Sequence, residues 1–171
     1  MLLHDPKPTL DIFASAVVAL LRDKDLAYAD PSERAIVARL ASLLQGKYLG
    51  WSLDLEWSRR ENVIKRLRYG LSEEELIGKD AIVPDLVIHH VGKRENLLVV
   101  EVKKVTNTDY EGDIWKLKGL TEQAGAYGYS VGLHLVVDVK AGTSPQCDVY
   151  IDAGLDEGLT NWMKDRLKVA A

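Results

Sequence analysis

Apolar residues recur at three- and four-residue intervals near the start of the chain, then give way in the middle to continuous apolar runs and alternation. Residues 9–23 carry a helical stripe of Leu10, Phe13, Val17, Leu20 and Leu21, preceded by Pro6 and Pro8, where proline is tolerated. A second stripe, Ile36, Val37, Leu40, Leu43 and Leu44, predicts a helix over 31–45. Asp30 is its expected N-cap, Pro31 its first residue, and Gly46 lies just past its end. Residues 48–58 alternate like a strand, with Leu53 and Leu55 between Asp54 and Glu56. The polar stretch 59–79 is helix or loop, with a helix start at Ser72-Glu73-Glu74-Glu75. Two runs rich in Val, Ile and Leu, 82–91 and 97–105, flank Gly92-Lys93-Arg94-Glu95-Asn96 and predict a β-hairpin. A helix from 113 to about 127, strands at 131–139 and 147–151, and a helix over 157–169 complete the reading.

This order predicts an α/β domain. The hairpin is antiparallel, whereas a helix-bearing crossover between two strands favours parallel pairing, so the sheet should be mixed. Residues 97–102 are almost wholly apolar on both sides, so helices should cover both faces. With 171 residues, no internal repeat and no linker, residues 1–171 read as a single domain.

Composition narrows the setting. The chain is 47% apolar and 28% charged, its apolar runs fall well short of a membrane span, and its N-terminus lacks the plan of a secretory signal. A single cysteine, Cys147, has no partner for an internal disulfide, which suits a reducing cytoplasm. A net charge of −4 counts against strong non-specific binding to nucleic acid. Residues 59–68, however, hold a local excess of +4 from Arg59, Arg60, Lys65, Arg66 and Arg68 against Glu61. That cluster is either a solvated helix face or a phosphate-tracking patch.

The chemistry concentrates in the hairpin. A turn centred near Lys93 or Arg94 sets Asp85 opposite Val102 or Lys103. The two-residue period points Glu101 and Lys103 the same way, so two carboxylates and an ammonium converge about 4.5–8 Å apart. An exposed Glu-x-Lys pair would be unremarkable. Here the glutamate follows Leu97-Leu98-Val99-Val100, and a carboxylate inside such a strand costs several kcal/mol unless a partner or cation compensates it. Asp85, Glu101 and the Val102 carbonyl are hard oxygen donors suited to Mg²⁺, or Mn²⁺ in its place.

Pro84-Asp85…Glu101-Val102-Lys103 resembles the motif of the PD-(D/E)XK, or restriction-endonuclease-like, nuclease superfamily. The order of features around it resembles a small prokaryotic group within that superfamily. These are a helix opening with Glu33, Glu56-Trp57 closing a strand, the hairpin, and Asp113-Ile114-Trp115-Lys116-Leu117 opening a helix. The resemblance covers roughly residues 30–140. It implies a restriction-endonuclease-like mixed sheet flanked by helices and a Mg²⁺-dependent nuclease acting on a nucleic acid, first of all DNA. Asp85, Glu101, Lys103 and Glu33 would be its catalytic residues. A duplex cut on both strands would call for a homodimer, because one site cleaves one strand. The alternative is a catalytically silent nuclease-like fold that binds nucleic acid or protein.

The supporting residues also have plainer explanations. Glu33 shares the stripe of Ile36, Val37 and Leu40 and would face the sheet, yet Asp30-x-x-Glu33 is also a capping box. Glu56 reads equally well as a solvent-facing strand residue. Asp113 and Lys116 form an ordinary surface pair by default, while the resemblance would aim Lys116, with Arg59 and Arg60, at substrate phosphate. His89 and His90 are adjacent and so point to opposite faces, and nothing near His134 in sequence marks a ligand set. There is no zinc spacing, phosphate-binding Gly-rich loop or nucleophile elbow. Trp115 and Tyr127-Gly128-Tyr129 read as packing groups.

Overall fold

The computed structural model describes residues 5–57 and 83–168. The basic cluster with Arg59 and Arg60, and the helix start at Ser72, lie outside the described residues. Helix α1 (Lys7–Leu21) buries Leu10, Phe13, Val17, Leu20 and Leu21. A short helix not foreseen from the pattern, α2 (Lys24–Ala29), starts where the Asp23 carboxylate accepts the amides of Asp25 and Leu26. Asp30 therefore ends α2, in the left-handed region at φ 44°, and does not start the next helix. Ser32 caps α3 (Glu33–Leu44) by accepting the Ala35 amide, so the expected capping box between Asp30 and Glu33 does not form.

Among the described residues six strands follow in spatial order β1 to β6, all pairs antiparallel except β3 with β4. They are β1 (Ser52–Leu55), β2 (Leu86–His89), β3 (Asn96–Lys104), β4 (Val131–Asp138), β5 (Thr143–Ile151) and β6 (Gly154–Leu155). Helix α4 (Glu111–Thr121) makes the crossover from β3 to β4, and α5 (Glu157–Leu167) ends the fold. The mixed sheet expected from the crossover is present. β1 is shorter than its alternation suggests, since positive φ at Gly50 and Glu56 turns the backbone away at both ends. Tyr48 lies outside the strand, buried, and its hydroxyl donates to the Thr9 carbonyl.

Helices do cover both faces. On one, α1, α3 and α5 pack against Leu86, Ile88, Leu98, Val100, Val102, Leu133 and Leu135. On the other, Leu117 and Leu120 of α4 pack with Val87, Val99, Tyr129 and Tyr150, flanked by Trp115 and Tyr127. Gly132 permits the close seating of α4: a Cβ there would stand 2.8 Å from Thr121 Cγ2. Among the described residues no helix is long and apolar enough to cross a membrane.

Candidate active site

Register decides which side chains meet. Leu86 pairs with Val100 and Val87 with Val99, so extending the ladder sets Asp85 opposite Glu101, one or two residues away from the partner expected at the sequence level. The turn is tightened by Gly92 at φ 79° and by the His90 amide donating to the Glu95 carbonyl. Residues opposed across an antiparallel pair share a face, so the observed register brings Asp85 and Glu101 together on the α4 side. The Val102 amide donates to Asp85 Oδ2 at 2.8 Å and fixes that carboxylate at the end of β3.

Helix α4 supplies the opposing wall. Its first turn holds Asp113, and Lys116 follows three residues on. Neither is the surface residue that spacing alone would make it. Asp113 is 7% exposed, and the Lys116 ammonium stands 2.9 Å from Glu101 Oε1 and 3.7 Å from Asp113 Oδ1. Lys103, two residues beyond Glu101 on the same face, places its ammonium 3.5 Å from Asp113 Oδ2. The same oxygen lies 3.3 Å from His134 Nε2. His134 is fully buried on β4, in parallel register with Glu101, and Tyr110 packs edge-on against its ring. Asp85, Glu101, Lys103, Asp113 and Lys116 line one cleft of about 550 Å³, together with Val102, Glu33 and Arg34.

The electrostatics follow from burial. Glu101 is 1% exposed. Desolvation and the neighbouring Asp85 charge push its carboxyl well above the usual range, and the Lys116 ammonium only partly offsets this. Burial also raises Asp85, although the Val102 amide, the Lys116 charge and a hydrogen bond from Glu101 pull in the opposite direction. Burial and mutual repulsion thus make both carboxyls harder to ionise than usual, Glu101 the more so. Burial would likewise lift Asp113, but the His134 hydrogen bond and the ammonium groups of Lys116 and Lys103 hold it below the usual range. Desolvation works against the Lys116 charge, yet Glu101, Asp113 and Asp85 together keep it an ammonium more firmly than usual. An ionised Asp113 needs a donor, so His134 Nε2 carries the hydrogen.

Glu33 enters from the opposite face. Its Oε2 accepts the Lys104 amide at 2.7 Å and its Oε1 lies 3.5 Å from Asn107 Nδ2, so it ties α3 to the end of β3. Replacing Glu33 with Ala leaves the Lys104 amide without this acceptor. The expected loss is about 1–3 kcal/mol, read as a lower midpoint in thermal or urea unfolding. Wild-type stability in that variant would mean solvent satisfies the amide equally well. Glu56 lies just past β1 at φ 47° and pairs with Arg34 at 2.9 Å on the exposed rim of the cleft. His89 bonds Asp54, and His90 stacks on Trp51 beside Glu95, so the two histidines serve separate surroundings.

Asp85 and Glu101 fit a hard cation. Glu101 is buried and Asp85 half-buried, the two within hydrogen-bonding reach, and the close Lys116 contact leaves Glu101 Oε1 without a directed donor. Among the described residues no three His, Cys, Asp or Glu side chains gather as a metal-holding group. Sequence pattern did not single out His134. Its pairing with Glu101 crosses from β3 to β4 through α4, and the only local signal is a polar ring in the otherwise apolar run 131–137. No protein-family model matches the chain, and no curated protein is detectably similar to it in sequence.

Proposed function

We propose that this protein is a divalent-cation-dependent phosphodiesterase with a restriction-endonuclease-like fold, cleaving nucleic acid, first of all DNA. The observation that carries this reading is the meeting of Asp85 and Glu101 on one face, with Lys103 and Lys116 in the same cleft. Among the described residues the cleft lining counts five carboxylates (Glu33, Glu56, Asp85, Glu101 and Asp113) against three cationic side chains (Arg34, Lys103 and Lys116). This excess of acidic groups favours an added cation beside an incoming phosphodiester. Asp85, Glu101 and the Val102 carbonyl would hold Mg²⁺ or Mn²⁺, which supplies Lewis-acid polarisation and a more acidic water.

The chain's own groups divide the remaining work. Asp85, oriented by the Val102 amide, presents a fixed carboxylate oxygen. Lys103, anchored by Asp113, offers an ammonium to the charge that grows on the phosphate oxygens as the water adds. Asp113, itself held by His134, positions Lys103 and Lys116 without touching the phosphate. Cutting both strands of a duplex would bring two copies together, each cleaving one strand. The buried, lone Cys147 thiol suits a reducing cytoplasm.

Plasmid and single-stranded DNA incubated with Mg²⁺ or Mn²⁺ test the reading beside the Lys103→Ala variant. Cleavage by the intact protein, reduced about a hundredfold or more in the variant, is the expected result. Binding of DNA without products in any metal would instead make the domain a silent binding module.

A further inference from the structure

We infer that Lys116 is a resident counter-ion that competes with a divalent cation for the Glu101 carboxylate, and so sets how loosely the free protein holds that cation. The inference rests on the cation site proposed above and deepens it. Three features of the geometry carry it. Glu101 is almost completely removed from solvent, and the Lys116 ammonium 2.9 Å away is its compensating cation. The same ammonium already lies 3.7 Å from Asp113, so a second carboxylate stands ready to receive it. Lys116 springs from α4, which is packed against the sheet through Leu117 and Leu120, so the exchange needs side-chain rotation only.

A dication held by Asp85 and Glu101 would share the Glu101 carboxylate with the ammonium already in contact with it. Two cations on a single desolvated carboxylate repel strongly, because little solvent lies between them to screen the charge. Lys116 then leaves Glu101 and stays with Asp113, while the cation takes its place. The cost of breaking the existing ion pair is subtracted from the binding free energy of the metal, which weakens binding in the free protein. Lys116 thereby acts as a positioning residue whose charge is exchanged for that of the metal.

The probe is Mn²⁺, titrated calorimetrically into the full chain at neutral pH. Lys116→Met keeps the length of the side chain and removes its charge. The variant should bind Mn²⁺ about tenfold more tightly than the wild type, whereas a lysine with a merely structural role would leave affinity unchanged or lower it. The intact protein supplies a second measurement that does not depend on how Lys116→Met folds. Acylation of its amines, read peptide by peptide in a mass spectrometer, should become several-fold faster at Lys116 on saturation with Mn²⁺, relative to the exposed Lys47. Mn²⁺ binding that is lost in Asp85→Asn but is no tighter in Lys116→Met, or Lys116 acylation indifferent to Mn²⁺, overturns the counter-ion role and leaves the cation site standing. Equal Mn²⁺ binding by the wild type and Asp85→Asn removes the site itself, and the competition with it.

Discussion

Replacing Asp85 with Asn is expected to abolish metal-dependent cleavage, by about a thousandfold or more, while leaving the fold intact. The two effects separate because Asp85 has two jobs. Its Oδ2 accepts the Val102 amide, and an Asn carbonyl accepts the same bond. Its charge faces Glu101, where burial already disfavours a second carboxylate, so removing that charge relieves the metal-free protein of repulsion. What Asn cannot supply is an anionic oxygen for a cation. In the wild type, Mg²⁺ at about ten times its dissociation constant adds roughly 1.4 kcal/mol, about 3–6 °C in a domain of this size. In Asp85→Asn that rise should vanish, with the metal-free midpoint at or slightly above the wild-type value. An equal rise in both proteins would mean that cations bind elsewhere.

Glu101→Gln should change how stability depends on pH. The carboxyl of Glu101 is raised above its ordinary 4.5 by burial first and by Asp85 second. Asp85 is raised above its ordinary 3.8, chiefly by burial. A group raised on folding binds its proton more tightly in the native state than in the unfolded chain. Its contribution is fully present below the ordinary value and is lost as pH rises through the native one. The metal-free wild type should therefore lose stability from mildly acidic toward alkaline pH. Glutamine keeps the shape and cannot ionise, so the variant should show a flatter profile and a midpoint several degrees higher at pH 8. Divalent cation should restore the wild type at pH 8 by compensating the buried carboxylate charge, and should do little for the variant. Parallel melting profiles between pH 5 and 8 would show that Glu101 ionises in the folded protein without penalty.

Local pattern carried much of the fold. The stripe of Leu10, Phe13, Val17 and Leu20 marks α1, and that of Ile36, Val37 and Leu40 marks α3, because the same three-to-four-residue spacing that builds a helix also selects its buried face. Both hairpin strands, β4, β5 and α5 lie where their runs and alternation place them, with ends shifted by a few residues. Helix boundaries were less legible. Asp30 and Ser32 both have capping chemistry, and the presence of α2 assigns Asp30 to its end and Ser32 to the start of α3. α4 stops at Thr121, short of the expected 127, as the backbone leaves helical geometry at Glu122.

By itself the sequence determined that Glu101 and Lys103 share one face of a buried strand and that a second carboxylate precedes its hairpin partner. Those are consequences of a two-residue repeat and of composition, and they need no knowledge of what lies across the sheet. Tertiary structure alone decided that Leu86 pairs with Val100, which sets Asp85 against Glu101. It also decided that α4 seats closely over Gly132, turning Asp113 and Lys116 inward, and that His134 on β4 braces Asp113 from behind. Glu33 found the Lys104 amide by the same means, across the packing of α3 on β3. Such contacts join segments distant in the chain, where the free energy comes from burying whole faces against one another, and no local spacing records which faces those will be.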